Sequence, residues 1–328
     1  MKTRPVILEY YDKLNGICSF WRGRGPLAEL SRVDLVKTFE ANWKHDWSII
    51  RNFDIALFQR PVHKNCLEQV FICKDLGLKI WIDLDDWKDL PSKHPMYKDY
   101  NNNFEDLAFK KILHCADVIT VTNNRMIKSY SDEYPNLSTK MSILPNAIND
   151  YVYNFKPMSD TKRIVYRGSE NHQYDIDQYT DILKEVLIEN PDWEFISIGY
   201  DIKKLKQLPN YQYVGKFETH LYFGLICNIN PEIFIVPLED NKFNRNKSNI
   251  SWLEGTFSGA ACICPSYFND TKSIGYNSKE FFKEGLLSLM ESKDLRKDLW
   301  EDSVTEIKEK YLLSIVNKER MKLIKELL

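Results

Sequence analysis

The stretch that decides the fold runs from Phe243 to Glu254, FNRNKSNISWLE, and continues into residues 259–266, GAACICPS. It follows an apolar run, residues 233–238, whose unbroken hydrophobicity is typical of a parallel strand buried on both faces. The pattern predicts a strand, a polar loop, a helix over about residues 248–258, and a second buried strand. In an open parallel sheet such a loop lies at the carboxyl ends of the strands, where ligands bind.

The charges of this loop make it a candidate phosphate site. Free N–H groups in the first turn of a helix favour an anion, and Arg245 and Lys247 add positive charge there. Glu254 follows Lys247 by about two helical turns, so the spacing predicts that both side chains share one helix face. That arrangement suits a nucleoside diphosphate whose ribose lies along the helix. The alternative is an ordinary amphipathic helix that packs its apolar side chains on the sheet.

The same segment resembles the donor-binding segment of GT-B glycosyltransferases, especially the retaining, glycogen-synthase-like group. In that group an Asn-x-x-Lys-Ser pattern precedes a short helix, a glutamate and a small-Gly-small turn. The matching positions here are Asn244, Lys247, Ser248, Glu254 and Gly259. The resemblance implies that Lys247 holds the donor phosphates and Glu254 the ribose hydroxyls. Asn246 stands where the family often has a glutamate that touches the donor sugar, so the sugar is left open.

Composition narrows the class of protein. The 328 residues suffice for two ordinary domains, and a hydrophobic content of 43% supports real cores. A net charge of −2 excludes a global basic field for nucleic acid or anionic membranes, although it permits a local patch. The 7 cysteines contain no C-x-x-C pair, which indicates reduced core residues. Because no apolar run could span a bilayer, we expect a cytoplasmic protein without membrane insertion.

Strands alternate with helices along the whole chain. In the first half the pattern predicts strands at residues 6–10, 54–61, 79–83, 118–121 and 141–144, with helices between them. This alternation predicts an α/β fold with parallel sheets covered on both faces. We expect two Rossmann-like domains facing a central cleft, residues 1–155 on the acceptor side and 156–310 on the nucleotide-sugar side. By analogy with GT-B enzymes, residues 311–328 would form a helix that crosses back to the first domain.

The first half also resembles known enzymes, namely glycosyltransferases encoded by tailed bacteriophages. The resemblance rests on five pieces, at residues 18–27, 57–61, 81–87, 116–122 and 144–147. The last of these, Leu-Pro-Asn-Ala, is similar to the crossing between the two GT-B domains. The resemblance implies a location in the cytoplasm of a bacterial host and makes hydroxymethylated pyrimidine in viral DNA an acceptor to test.

The acidic run Asp83-Leu84-Asp85-Asp86 after an apolar strand has three interpretations. An Asp-x-Asp motif holds a divalent ion against the diphosphate in the other large glycosyltransferase fold, GT-A. The run could instead cap the segment that follows. The interpretation that we favour places Asp85 and Asp86 in the cleft, in contact with an acceptor hydroxyl or deprotonating it. A second Rossmann-like half with its own phosphate site argues against GT-A.

Further donor-side candidates follow other strands. Arg167 and Gly168 come directly after the strand at residues 163–166, where a forked cation and close backbone approach suit a phosphate. GT-B enzymes place a basic residue and glycine there, so the resemblance makes Arg167 a second phosphate ligand. Weaker donor-binding candidates are Ser169, His172, Val214, and Gly16 in a turn after the first strand. Val214 belongs to residues 213–217, which resemble the GT-B segment whose backbone lies against the nucleobase. The alternative is that an aromatic in this segment packs on the following helix.

Acceptor-side candidates lie near strand ends of the first half. They are Arg22, Arg24, Trp87 and His94, and Arg60 and Lys88 extend the set. These cations could form a basic lip for DNA phosphates, with Trp21 or Trp87 bracing a base that has left the stack. The alternative is that the cations pair with neighbouring acids and the tryptophans pack internally.

The sequence thus predicts a glycosyltransferase, for a hexose or a pentose, that uses a nucleotide-sugar donor. Lys247, Arg167 and a helix N-terminus would stabilise the diphosphate in place of a metal ion, and no cofactor is expected. The resemblance suggests retention of configuration, which Asn246 weakens. The rivals are a transferase acting on surface glycans, a non-catalytic sugar-nucleotide-binding protein and a nucleotide-sugar epimerase. The donor sugar, the nucleobase and the oligomeric state are left open.

Overall fold

The computed structural model describes residues 4–11, 16–41, 50–63 and 65–328. Within these residues two parallel sheets of six strands each form the frame of the molecule. The strands of the first sheet are β1 (Val6–Tyr10), β2 (Lys37–Ala41), β3 (Ile55–Gln59), β4 (Lys79–Leu84), β5 (Val118–Val121) and β6 (Met141–Ile143). Those of the second are β7 (Arg163–Arg167), β8 (Glu194–Ile198), β9 (Tyr211–Val214), β10 (Ile233–Ile235), β11 (Ala261–Pro265) and β12 (Ile274–Tyr276).

Both sheets are doubly wound, because the chain turns back once from the first strand of each sheet. The spatial order is β2-β1-β3-β4-β5-β6 in the first and β12-β11-β10-β7-β8-β9 in the second, and the named pairings are parallel. Helices cover the sheet faces, so the central strands are apolar on both sides, and β3 and β11 are buried at every position. Ligand sites in such sheets lie beyond the carboxyl ends of the strands.

Helices connect the strands in the order that the sequence pattern predicts. In the first half they are α1 (Gly25–Arg32), α2 (Cys66–Asp75), α3 (Tyr97–Asn103), α4 (Asp106–Cys115) and α5 (Asn124–Glu133). In the second half they are α6 (Gln173–Asp177), α7 (Thr180–Glu189), α8 (Thr219–Ile229), α9 (Lys242–Arg245), α10 (Ile250–Phe257), α11 (Lys279–Glu291), α12 (Lys293–Lys310) and α13 (Leu313–Leu327). A helical turn, Ile17–Ser19, and a π-helical turn, Phe20–Arg24, lead into α1.

The last helix packs against the first sheet. Val316 and Ile324 of α13 belong to the same buried cluster as Ile7 of β1 and Leu27 of α1. The side-chain amide of Asn317 donates to the Pro26 carbonyl at 3.1 Å, also between α13 and α1. The chain end therefore ties the two halves together. The domain bounds at residues 155/156 and 310/311 stay predictions.

The structure corrects several boundaries. β2 was not predicted, because it is an edge strand whose alternation is broken by exposed Lys37, Phe39 and Glu40. Between β7 and β8 the chain forms two separate helices, α6 and α7. The apolar run at residues 233–238 leaves the sheet after Ile235, so the strand is shorter than the run. The helix expected from residue 248 begins at Ile250, and α9 precedes it.

Candidate functional site

A cleft of about 170 Å³ lies between the carboxyl ends of the two sheets. Clefts at this place in open parallel sheets are where ligands bind. Both halves of the chain line it. The lining residues from the first half are Ile17, Cys18, Trp21, Arg22, Asp85, Asp86 and Asn146, and those from the second are Tyr166, Arg167, His172, Ile235, Val236, Pro237, Leu238, Lys247, Ser248, Ile250, Ser251 and Phe268. Predicted donor-side and acceptor-side residues thus meet at one site.

Arg167, at the end of β7, enters the cleft on top of a buried carboxylate. Its Nε and Nη2 atoms lie 2.9 and 2.5 Å from Glu254 Oε2, and the Tyr222 hydroxyl donates to the same oxygen at 3.0 Å. The Glu254 side chain is fully buried, whereas about 20% of the Arg167 side chain is exposed. Glu254 therefore orients the guanidinium from below and is not part of the cleft wall.

Lys247 reaches the cleft from a loop, not from a helix. It lies between the C-cap of α9 at Asn246 and the N-cap of α10 at Asn249. The prediction that Lys247 and Glu254 share one face of a helix is therefore wrong, because the helix starts after the lysine. The Lys247 ammonium lies 3.6 Å from Asp86 Oδ1 and 4.4 Å from the centre of the Phe243 ring.

The acidic run after β4 divides into carboxylates with different tasks. Asp83 accepts from the Thr120 hydroxyl at 2.6 Å and forms a two-bond ion pair with Arg22, so it is structural. Asp86 lies between Lys247 and the Arg60 guanidinium, which is 3.3 Å away. Burial opposes ionisation of Asp86, but the charges of Lys247 and Arg60 outweigh it and lower its pKa.

Asp85 is the carboxylate that remains open to the cleft. Its Oδ1 atom is buried and has no hydrogen-bond partner among the described residues. Burial raises the pKa of Asp85, and the Arg60 charge offsets this only in part. Two other residues that line the cleft, Tyr166 and Trp21, also have a buried side-chain atom, Oη and Nε1, without a partner among the described residues. Each unmade buried hydrogen bond is costly.

His172 lies on the donor side of the cleft and is bound by Asp175, a residue that the sequence did not single out. Its Nδ1 atom lies 2.9 Å from Asp175 Oδ2, while Asp175 Oδ1 accepts from the Asn244 amide at 2.6 Å and from the Glu239 N–H at 3.0 Å. Burial and then the Lys247 charge lower the pKa of His172, so its imidazole is neutral at pH 7. The Asp175 carboxylate therefore fixes the proton on Nδ1 and leaves Nε2 as an acceptor. The i, i+3 spacing of His172 and Asp175 is the sequence signal that could have identified this hydrogen-bonded pair.

Asn244 and Asn246 lie beside the cleft without lining it. Asn244 is buried in the Asp175 network and borders a smaller cavity with His94 and His172. The Asn246 amide donates to the Lys242 carbonyl at 2.8 Å, and its Oδ1 atom is buried without a partner among the described residues. Ser248 does line the cleft, and its hydroxyl accepts from the Asn146 amide at 2.9 Å. Asn146 belongs to the Pro-Asn-Ala element that the sequence singled out.

The remaining donor-side predictions concern four residues that do not line the cleft. Gly168 is buried against the Tyr166 ring and the His172 side chain, so little room exists for a larger residue. Ser169 is exposed and caps a short 3₁₀ turn, Glu170–His172. Val214, at the end of β9, packs in the core of the second half. Gly16 begins the helical turn at Ile17. None of these four is among the residues that line the cleft within the described chain.

The predicted basic lip is absent from the described first half, because each of its cations is paired. Arg22 is 3% exposed and is bound by Asp83 and the Leu144 carbonyl. Arg24 pairs with Glu40 at 2.7 Å, and Arg60 pairs with Asp86. Lys88 is buried among three carboxylates, those of Asp89, Asp106 and Glu133. The alternative from the sequence, pairing with neighbouring acids, is the one observed.

The two tryptophans and His94 are also enclosed. Trp87 is 1% exposed, lies 4.6 Å from the Tyr130 ring centre, and faces away from solvent. Trp21 lines the cleft but packs on Phe223 at 5.4 Å. His94 is half-buried in the smaller cavity, and its Nδ1 atom accepts from the Met96 N–H at 3.1 Å. The expectation that Trp87 braces a flipped base is therefore wrong.

Within the described residues, no group of three or more His, Cys, Asp or Glu side chains is arranged to hold a metal ion. No helix in that part of the chain combines the length and the apolarity needed to cross a membrane. The described cysteines are free thiols.

No protein-family model and no curated protein matches the sequence. Solved structures do resemble the fold. A sucrose-phosphate synthase from Thermosynechococcus elongatus matches with a TM-score of 0.67 and 9% identity over 99% of both chains. An alpha,alpha-trehalose-phosphate synthase (UDP-forming) from Burkholderia vietnamiensis matches at 0.65 and 10% identity, over 99% of this chain and 97% of that one. Anabaena HepE in complex with UDP matches at 0.64 and 8% identity, over 98% and 100%.

Identities this low establish the fold alone. The fold is the GT-B arrangement that the sequence predicted, with two Rossmann-like halves, parallel sheets and a cleft between them. The GT-A interpretation of the acidic run after β4 is thereby wrong.

Proposed function

We propose that this protein is a glycosyltransferase that moves a sugar from a nucleotide-sugar donor to an acceptor hydroxyl. The observation that carries the proposal is the shared cleft, where Arg167 and Lys247 approach from one half and Asp85 from the other. Fixed cations opposite an open carboxylate suit a reaction in which a diphosphate leaves while a hydroxyl attacks. The C–O bond to the acceptor forms as the bond to the diphosphate breaks, and the Asp85 carboxylate takes up the hydroxyl proton.

Arg167 and Lys247 would stabilise the charge that develops on the departing diphosphate. Preorganised cations in a water-poor cleft are effective in this role because they need no rearrangement during the reaction. Glu254, fully buried beneath Arg167, orients that guanidinium. This role fits a buried carboxylate better than the ribose contact that the resemblance implies. Contact between the two halves would also exclude water, which otherwise hydrolyses the donor.

Asp85 would accept a hydrogen bond from the acceptor hydroxyl. Asp85 lines the cleft with one carboxylate oxygen unpartnered among the described residues, and its raised pKa makes it a stronger proton acceptor than an ordinary aspartate. Asp86 cannot serve equally well, since Lys247 and Arg60 already hold its oxygens. Resemblance to the retaining group favours a product with retained configuration, which NMR of the anomeric proton would test.

The acceptor is the finer part of the proposal. Hydroxymethylpyrimidine DNA rests on the resemblance of the first half to phage enzymes, and a glycan hydroxyl is the alternative. The pairing of Arg22, Arg24, Arg60 and Lys88 with carboxylates favours the uncharged glycan. Phosphate contacts are screened by salt, so a DNA acceptor requires transfer at subsaturating DNA to fall steeply with added salt. A transfer rate that does not change with salt would favour the glycan as the acceptor.

The experiment that tests the function is a donor screen for nucleoside diphosphate release, begun with UDP-sugars because two similar structures carry UDP in their names. Lys247→Ala should lower turnover by roughly 10²-fold, since it removes charge from the leaving group. Asp85→Asn should lower transfer to an acceptor by roughly 10-fold or more, with donor affinity unchanged.

Lys128→Gln is the matched control, because Lys128 pairs with Asp132 on the exposed face of α5. Normal turnover in Lys247→Ala would contradict the donor site. Binding of a nucleotide sugar without release of nucleoside diphosphate, with or without acceptor, would favour the non-catalytic alternative. Interconversion of the donor sugar without an acceptor would indicate an epimerase.

A further inference from the structure

The loop that carries Lys247 is held from the opposite half of the chain. Arg125 of α5 donates from Nε to the Arg245 carbonyl at 3.0 Å and from Nη2 to the Lys247 carbonyl at 3.1 Å. The Asn123 amide donates to the Asn246 and Lys247 carbonyls, both at 3.2 Å. Three consecutive backbone carbonyls of the second half are thus bonded by two side chains of the first. We call this pair, Asn123 and Arg125, the carbonyl clasp.

The clasp is itself rigidly placed. Asn123 is 5% exposed and caps the start of α5, where its Oδ1 atom accepts from the Met126 N–H at 3.0 Å. Arg125 Nη1 donates to Asp270 at 2.8 Å and to Asn269 at 3.1 Å. The guanidinium also lies 5.0 Å from the ring centre of Phe268, which lines the cleft. Each nitrogen of the Arg125 side chain therefore has a partner in the second half.

The loop needs external support because of its position between two helices. Lys247 falls after the last residue of α9 and before the N-cap of α10, so it is not held by a regular helical ladder. The backbone N–H of Lys247 donates to the Asn244 carbonyl at 3.1 Å, and the Lys247 carbonyl is bound by the clasp. The path of the backbone, and hence the origin of the Lys247 side chain, is fixed jointly by both halves.

We propose that Asn123 and Arg125 are positioning residues for the donor site, which hold Lys247 at the phosphates of the donor when the two halves are in contact. The inference rests on the proposed function for its kinetic consequence. Misplacement of a charged group by about 1 Å can cost roughly 10²-fold in rate. The donor site would thus be complete only in the form in which the acceptor side is also in place, which limits wasteful hydrolysis of the donor.

The first test is hydrogen exchange by mass spectrometry on the ligand-free protein. Asn123→Asp keeps the oxygen that caps α5 and removes the amide donors, and Arg125→Gln removes the fork. In either variant the amides of Asn246 and Lys247 should exchange roughly 10-fold faster or more, because loss of the clasp frees the loop. Peptides from β8 should not change. Unaltered exchange over residues 242–250 in both variants would overturn the proposal.

The second test is a double-mutant cycle for turnover with Arg125→Gln, Lys247→Ala and their combination. Because Arg125 acts through Lys247, Arg125→Gln should lower kcat by roughly 10-fold alone and by less than about 2-fold in the Lys247→Ala background. A merely structural loss would lower kcat equally in both backgrounds, and that additive result would overturn the proposal. Lys128→Gln, on the same helix, should leave turnover and exchange unchanged.

The two tests separate failure of the inference from failure of the proposed function. The exchange measurement needs no substrate, so it decides whether the clasp holds the loop even if the unchanged protein turns over no nucleotide sugar. Absence of turnover by the unchanged protein would overturn the proposed function. Arg125→Lys, which keeps the charge but not the fork, should behave like Arg125→Gln, since the carbonyls require two directed donors.

Discussion

At the scale of single residues, the cleft is governed by pairing between side chains distant in sequence. The sequence predicted that Arg167, Lys247 and Asp85 belong to one site, because each follows a strand and strand ends converge. It could not predict that Arg22 is bound by Asp83, since such a partner is set by tertiary packing. Residue type and local position therefore placed Arg167, Lys247 and Asp85 at one cleft, but they did not show which of the predicted cations are already paired.

His94 provides a residue-scale prediction for stability against pH. Burial, followed by the charges of Lys247, His172 and Arg60, lowers the pKa of His94 from 6.5 to about 4. Between those values the unfolded chain binds the proton and the folded protein does not, so stability falls as pH drops from about 6.5 towards 4. His94→Gln, which cannot titrate, should reduce this fall by about 1 kcal/mol after solvent screening.

The measurement is urea unfolding at several pH values across that window. An unchanged profile in His94→Gln would show that protonation of His94 does not oppose folding.

At the scale of elements, periodicity predicted strands better than it predicted helix starts. Apolar runs marked β3, β4, β5 and β11 because central parallel strands are buried on both faces. The start of α10 was missed because Ser248 resembles a helix N-cap, whereas the chain makes the separate turn α9 first. That difference moved Lys247 from a helix face to a loop, which is why the loop depends on contacts from outside.

The last helix supports an element-scale prediction. Ile324 of α13 is fully buried in the cluster with Ile7 and Leu27 of the first half. Ile324→Ala should therefore destabilise the protein by about 2–5 kcal/mol, through lost burial and a residual cavity. Chemical denaturation measures the loss, and Lys325→Ala, at the exposed neighbouring position, should cost under about 0.5 kcal/mol. Equal, small losses in both variants would mean that α13 does not contribute to the core of the first half.

At the scale of the whole molecule, each half could be predicted from local patterns, but their contact could not. The alternation of strands and helices depends on residues that are close in sequence, so it predicts two doubly wound sheets. The contact between the halves depends on bonds such as Arg125 to Lys247 and Asn146 to Ser248, which join positions more than 100 residues apart. No spacing rule links such positions, so the carbonyl clasp could not be predicted from the sequence.

Independence from divalent metal ions is the prediction that involves the whole site. Within the acidic run after β4, Asp83 forms an ion pair with Arg22, and Asp86 lies between Arg60 and Lys247. The run therefore offers few free carboxylate oxygens to a cation, while Lys247 and Arg167 supply positive charge for the diphosphate. Turnover should change by less than about 2-fold when EDTA is added to the assay. Loss of activity in EDTA that Mn²⁺ or Mg²⁺ restores would contradict this, and Asp85→Asn, which removes the open carboxylate, would then test where the ion binds.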